Sequence, residues 1–235
     1  MTNSPQPIGF FALWHNKRSE YHAGLAEERE TGLRIQQAFE NGRARGIKIF
    51  GLYYSRWASE RQFFTFWICP NLAALEQTMD DLEQAGDFKF ADSEHVIGVR
   101  LPDLEMTDEV FQDLEGGNPT LPLGFFALWR QTETYYRASQ EEWVASDRAV
   151  RDVFNEAHTL GVRMLGRYDC RWSTQWDYFT FWLAPNLETM ETIMGHLEPA
   201  GDFKFADSRH VIGQWQPYFR FGRHLQTEAN WSQGE

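Results

Sequence analysis

Cysteine is nearly missing from these 235 residues: there are two, Cys69 and Cys170. They provide no disulfide framework and no zinc-ligand spacing. Basic residues are also scarce, 22 Lys and Arg against 34 Asp and Glu, for a net charge of −12. Phosphate backbones and anionic bilayers are bound by fields of Lys and Arg, so a general nucleic-acid or membrane-surface binder is disfavoured. No apolar run approaches the ~20 residues of a membrane span. Met1 to Pro7 has neither the basic start nor the apolar core of a signal peptide, and a cytoplasmic protein is the expectation. Nine Pro and 18 Gly are too few for a fibrous or low-complexity chain. Gly-rich phosphate loops, Gly-x-Ser-x-Gly elbows and His-Glu-x-x-His are absent, which disfavours nucleotide chemistry and serine hydrolysis by those motifs.

Aromatic residues are plentiful instead: 16% of the chain, with ten Trp and 19 Phe. Such side chains fill cores and line ligand pockets. Many recur at a fixed interval. Pro7-Ile8-Gly9-Phe10-Phe11-Ala12-Leu13-Trp14 returns as Pro122-Leu123-Gly124-Phe125-Phe126-Ala127-Leu128-Trp129, an offset of 122 − 7 = 115. The same offset carries Arg56-Trp57 to Arg171-Trp172 and Phe64-Thr65-Phe66-Trp67 to Phe179-Thr180-Phe181-Trp182. It also carries Ala85-Gly86-Asp87-Phe88-Lys89-Phe90-Ala91-Asp92-Ser93 to Ala200–Ser208, without a gap. Two copies of a period this long make a domain duplication rather than a solenoid.

Each copy reads as strand, helix, strand, strand, helix, strand. Ile8 to His15 is apolar on both faces, with Phe10, Ala12 and Trp14 on one and Phe11 and Leu13 on the other. A helix is expected over about 18–45, strands over 47–54 and 63–69, a short helix from an Asn71 N-cap to Gly86, and a last strand over 88–99. The order β-α-β-β-α-β is the ferredoxin-like unit, an α+β fold whose helices cover one sheet face. An apolar second face needs cover, and the sibling copy supplies it if the sheets pack face to face. Residues 1–100 then form the first repeat, 101–121 an acidic linker, 122–215 the second repeat and 216–235 a tail whose first half docks on the barrel.

In this element order and duplication, residues 7–100 and 122–215 resemble the dimeric α/β-barrel superfamily, here fused in tandem; no family within it is singled out. The superfamily includes cofactor-independent monooxygenases, polyketide cyclases, and haem proteins such as chlorite dismutases and dye-decolourising peroxidases. The resemblance implies an enzyme acting on an aromatic or polyketide-like small molecule without a cofactor, by oxygenation or a cyclase or lyase step. Haem binding is the alternative, although neither the peroxidase Gly-x-x-Asp-Gly motif nor a match to the chlorite dismutase helix histidine is present. A non-catalytic small-ligand or scaffold protein is the third reading, and the chain could also self-associate.

Candidate site residues follow from the shared strand and from differences between copies. On a regular strand Lys89, Ser93 and His95 share a face that would look into the barrel, while Phe88 and Phe90 turn to the helices. His95 and His210 are therefore the candidate proton carriers, and His210 is preferred because its half is more polar. Arg56 and Arg171, each followed by Trp, could grip a carboxylate or phenolate. Trp14, Trp67, Trp129 and Trp182 are core or pocket wall. Tyr53 and Tyr168 could supply a phenolic hydroxyl. Leu52 becomes Arg167 and Tyr54 becomes Asp169, a polar row that only the second copy has. With no second histidine near His95 and no cysteine cluster, no metal site is expected.

Overall fold

The computed structural model describes residues 6–17, 24–55, 60–102 and 113–217. The first repeat holds β1 (Ile8–Asn16), α1 (Leu25–Ala44), β2 (Lys48–Tyr54), β3 (Phe63–Cys69), α2 (Leu72–Ala85), a one-turn α3 (Asp87–Phe90) and β4 (Ala91–Arg100). The second holds β5 (Leu123–Gln131), a short α4 (Glu133–Arg137), α5 (Gln140–Thr159), β6 (Arg163–Asp169), β7 (Tyr178–Ala184), α6 (Leu187–Ala200), α7 (Asp202–Phe205) and β8 (Ala206–Trp215). Local chemistry sets the ends. Asn71 and Asn186 cap α2 and α6 by accepting from Ala74 N and Thr189 N at 2.9 and 2.8 Å. Gly86 and Gly201 close the same helices at φ of +92° and +90°, a conformation glycine adopts without steric cost. In the second repeat a capping box, Ser139 with Glu142, restarts the chain after α4.

The eight strands form one closed antiparallel barrel in the order β1-β3-β2-β8-β5-β7-β6-β4. The halves join at two seams, where β2 pairs β8 through Tyr53↔Trp215 and β4 pairs β6 through Arg100↔Tyr168. Leu101 N donates to Arg167 O at 2.8 Å, and its counterpart Gln216 N to Leu52 O at 2.9 Å. The fold is thus two ferredoxin-like repeats packed sheet to sheet as a pseudo-dimeric α/β barrel.

An eight-stranded barrel is just wide enough for side chains to fill it. Phe11, Phe64, Phe66, Phe126, Phe179 and Phe181 do so, all essentially inaccessible. Phe11 stacks on its counterpart Phe126 at 3.3 Å between ring centroids. The lumen is therefore core, and a ligand lying between the sheets has no room there. The opposite faces of the sheets carry two further cores under the helices, one around Phe10, Trp67 and Leu75, the other around Phe125, Trp182 and Ile193.

Two expectations need correction. Phe88 to Phe90 is helix α3, not strand, and β4 begins at Ala91. That turn resets the alternation, so Val96 enters the lumen and His95 lies outside, against Phe10. The docking expected of the tail concerns residues 218–235, which lie outside the described residues, as do Arg56 and Trp57.

Candidate functional site

Neither histidine faces the barrel. His95 lies 5.1 Å from the Phe10 ring and His210 4.9 Å from the Phe125 ring, each on the helix side of its sheet. Neither imidazole has a hydrogen-bond or ion-pair partner among the described residues. Partial burial holds both pKa values below the ordinary histidine value, so both rings are neutral at pH 7. A proton carrier needs a neighbour that fixes its tautomer, and none is present among the described residues.

The two tyrosines are lumen residues. Tyr53 and Tyr168 are fully buried, and their hydroxyls donate to Phe50 O and Leu165 O at 2.9 Å each. Burial pushes both phenols upward. With their hydroxyls satisfied and no solvent contact, they anchor the barrel. Trp67 and Trp182 are buried under the helices, their indole N–H donated to Thr65 and Thr180 at 3.0 and 2.8 Å. Trp14 is half-buried and stacks on Phe63. Cys69 and Cys170 are both free and buried.

One difference between the repeats opens onto a cleft. Between the far ends of β5 and β6 and the start of α5 lies an open cleft of about 140 Å³. Trp129, Tyr135, Trp143, Phe205, Arg167 and Asp202 contribute to its walls. Each element supplies its part for a local reason. Trp129 lies near the end of β5 on the helix-facing side. Tyr135 sits on α4, which Thr132 ties down by donating its backbone N–H to Phe205 O at 2.9 Å. Asp202 starts α7 directly after the left-handed Gly201. Arg167 follows the bulge at Gly166, where the β6–β7 register shifts between Met164 and Arg167.

Arg167 is held by rings. Its guanidinium carbon is 5.9 Å from the Trp129 ring centre and 5.7 Å from that of Tyr178. Those two rings lie 4.5 Å apart. The guanidinium carbon of Arg171 lies 5.6 Å from the Tyr178 ring centre, and Arg171 is neutralised by Asp169, to which its Nε donates at 3.0 Å. The row Arg167, Asp169, Arg171 therefore divides: Arg167 reaches the cleft, and the other two pair with each other outside its walls. Asp147, also on the wall, pairs with Arg151 at 2.8 Å. Asp202 is different. Its carboxyl has no hydrogen-bond or ion-pair partner among the described residues, and burial raises its pKa above the usual carboxylate value.

At the matching place in the first repeat Leu52 replaces Arg167 and is buried among apolar neighbours. Arg34 of α1 donates from Nε to Ala85 O at 3.3 Å and from Nη2 to Thr31 Oγ1 at 3.1 Å. The exchange Leu52/Arg167 was visible from the repeat alignment, and so was Trp129. Tyr135, Trp143 and Asp202 were not: Asp202 has an identical counterpart in Asp87, and Trp143 falls on the apolar stripe of α5 yet is 42% exposed.

No protein-family model matches this sequence, and no curated protein aligns with it. Solved structures with the same fold are numerous. A mutant chlorite dismutase from Candidatus Nitrospira defluvii superposes with a TM-score of 0.75 at 13% identity, over 93% of this chain and 95% of that one. A haem-binding protein from Thermus thermophilus gives 0.74 at 10% identity, over 94% and 95%. A putative chlorite dismutase gives 0.69 at 10%, over 94% and 98%. This chain shares the dimeric α/β-barrel fold of chlorite dismutase-like proteins; identities this low carry the fold alone.

A haem is tested against the cleft by its donors and its size. Proteins hold haem iron through His, Cys, Met or Tyr. Tyr135 is the one such side chain on the cleft wall. A space of about 140 Å³ matches the roughly 150 Å³ that accommodates a benzene. As it stands the cleft does not fit a haem: a porphyrin would require α4 and the start of α5 to lift from the sheet. Among the described residues no three His, Cys, Asp or Glu side chains gather as a metal cluster, and no helix is long and apolar enough to cross a membrane.

Proposed function

We propose that the second repeat binds a small planar organic anion in this cleft, while the first repeat serves as its folding partner. One observation carries the reading. Where the first repeat buries Leu52, the second places Arg167 on an aromatic-walled cleft. A guanidinium grips a carboxylate through paired N–H donors, and Trp and Tyr faces accept a planar ring. The reading keeps the expected aromatic ligand and seats it between a sheet and its helices, rather than between the sheets. It gives no proton-carrying role to His95 or His210.

Titrating the full chain with benzoate, followed by calorimetry and tryptophan fluorescence, tests this. Arg167→Leu installs the residue of the first repeat. Losing charge-assisted hydrogen bonds of about 1.5–3 kcal/mol weakens binding roughly ten- to a hundredfold. Wild-type protein that ignores benzoate, or a variant that binds it equally well, would sink the proposal.

A second reading is haem, which the fold neighbours favour over a cofactor-free oxygenase or cyclase. Tyr135 on the cleft wall supports it from within the chain. On this reading α4 and the start of α5 would have to lift from the sheet, and Tyr135 would then be the residue to hold the group. Haem would supply redox chemistry. Haemin titration should then give a saturable Soret shift that Tyr135→Phe removes. A spectrum identical to free haemin dismisses this reading.

A further inference from the structure

Three features of the cleft narrow its ligand beyond a planar anion. The first is size: about 140 Å³ holds one aromatic ring. The second is the cation. Arg167 packs beside the contacting rings of Trp129 and Tyr178, so its charge is held against them rather than having the freedom of a surface arginine. The third is Asp202, on the same wall. Arg167 apart, the other charged groups near the cleft have counter-charges among the described residues: Asp147 has Arg151, Lys204 has Glu142, and Arg171 has Asp169. Asp202 has none among the described residues, and Tyr135 on α4 likewise shows no hydroxyl partner. A partly buried polar group without a partner costs free energy, and a ligand that supplies the partner recovers it.

Resting on the ligand-binding reading above, we infer that the cleft takes a single-ring hydroxy-aromatic carboxylate, with Arg167 receiving the carboxylate and Asp202 accepting a hydrogen bond from the ring hydroxyl. The ring lies against Trp129, Trp143 and Phe205. The two polar ends are of opposite character, one donor-only and one acceptor, so they also orient the ligand. Sites built to hydrogen-bond a hydroxyl reject analogues that lack it, because the acceptor is then left dry and unpaired. Burial disfavours the ionised Asp202 carboxylate, and a hydroxyl donor on the ligand would give it the support that no described residue gives.

The test is calorimetric titration of the full chain with benzoate, phenol, 3-hydroxybenzoate and 4-hydroxybenzoate. One hydroxybenzoate isomer is expected to bind at least tenfold more tightly than benzoate, and phenol to bind most weakly. Asp202→Ala should erase the advantage of the hydroxyl, so that in this variant the favoured hydroxybenzoate binds no more tightly than benzoate. Asp87→Ala, the same change at the matching place in the first repeat, should leave all four affinities unchanged, and it controls for damage to the shared Gly-Asp turn. If benzoate binds through Arg167 but neither hydroxyl isomer gains, or the gain survives Asp202→Ala, this inference fails and the ligand-binding reading stands. If no compound binds, or Arg167→Leu changes nothing, both fail. A Tyr135-dependent Soret shift with no response to the benzoates would overturn both in favour of haem.

Discussion

Asp87 carries a charge that the fold does little to support. It opens α3 immediately after the left-handed Gly86, and its carboxyl has no hydrogen-bond or ion-pair partner among the described residues. Burial pushes its pKa up to about 6. An unfolded aspartate titrates near 3.9, so between about pH 4 and 6 the native state holds a proton that the unfolded chain has lost. The native state is therefore favoured at low pH, and this advantage disappears as pH rises through 6. The two-unit shift corresponds to a penalty on the order of 2–3 kcal/mol for the ionised form above that range. Asp87→Asn should raise stability in chemical denaturation at pH 8 and leave it unchanged at pH 3. A variant less stable than wild type at pH 8 would show that the carboxylate has support from groups outside the described residues. Asp202 follows the same sign, with one difference: in its repeat the carboxyl borders an open cleft that a ligand can enter.

At the scale of elements, the bulges in β2 and β6 organise the barrel. Each adds one residue at a glycine of positive φ, Gly51 at +94° and Gly166 at +107°, and so turns the following tyrosine into the lumen. There the tyrosine crosses to the other repeat. A Cβ added to Gly124 would stand 2.6 Å from Tyr53 Cδ1, and one on Gly9 2.5 Å from Tyr168 Cδ1. These rings cannot retreat, because they are fully buried and tethered through their hydroxyls. Gly124→Ala should therefore cost about 1–3 kcal/mol or more through overpacking. Gly195→Ala is the contrast: it lies within α6 with nothing inside 4 Å, and removing its backbone freedom should stabilise by roughly 0.5–1 kcal/mol. Melting curves of the two variants decide it, and equal shifts would refute the seam argument. The repeat, the strand order and the two-faced first strand were legible because 115-residue periodicity and period-two apolarity are properties of the chain itself. Helix α3 was not, since Phe-Lys-Phe alternates like a strand and only the turn after Gly86 makes it helical. The cleft was half legible: a change of residue between copies exposes Arg167, whereas Asp202 becomes distinct from Asp87 only through what stands beside it.

At the scale of the whole molecule, fusion permits contacts that a symmetric dimer of one repeat could not make. Phe11 and Phe126 are counterparts and stack on each other, which two identical chains could do equally well. Glu94 and Arg209 are also counterparts, 115 residues apart, and they meet with Nη1 and Oε1 at 3.3 Å. They share the strand faces of Val96 and Val211 and so sit at the barrel mouth. In a homodimer this position would oppose glutamate to glutamate or arginine to arginine. Divergence after duplication has made it an attraction, and it commits each half to the other. Both side chains are about 40% exposed, so the pair contributes no more than about 1 kcal/mol. Glu94→Arg should replace attraction with repulsion and lower stability by about that amount in low salt. Adding Arg209→Glu should restore it, since the double reversal recreates an opposite pair with the same geometry. Urea denaturation of the two single variants, the double variant and the wild type, at about 20 mM and about 500 mM salt, separates charge from packing. The cycle should show a coupling that shrinks at high salt. If the double variant is no better than the sum of the singles, or the coupling ignores salt, Glu94 and Arg209 are only neighbours at the mouth, and the two halves are held to one another by the aromatic lumen and the two seams alone.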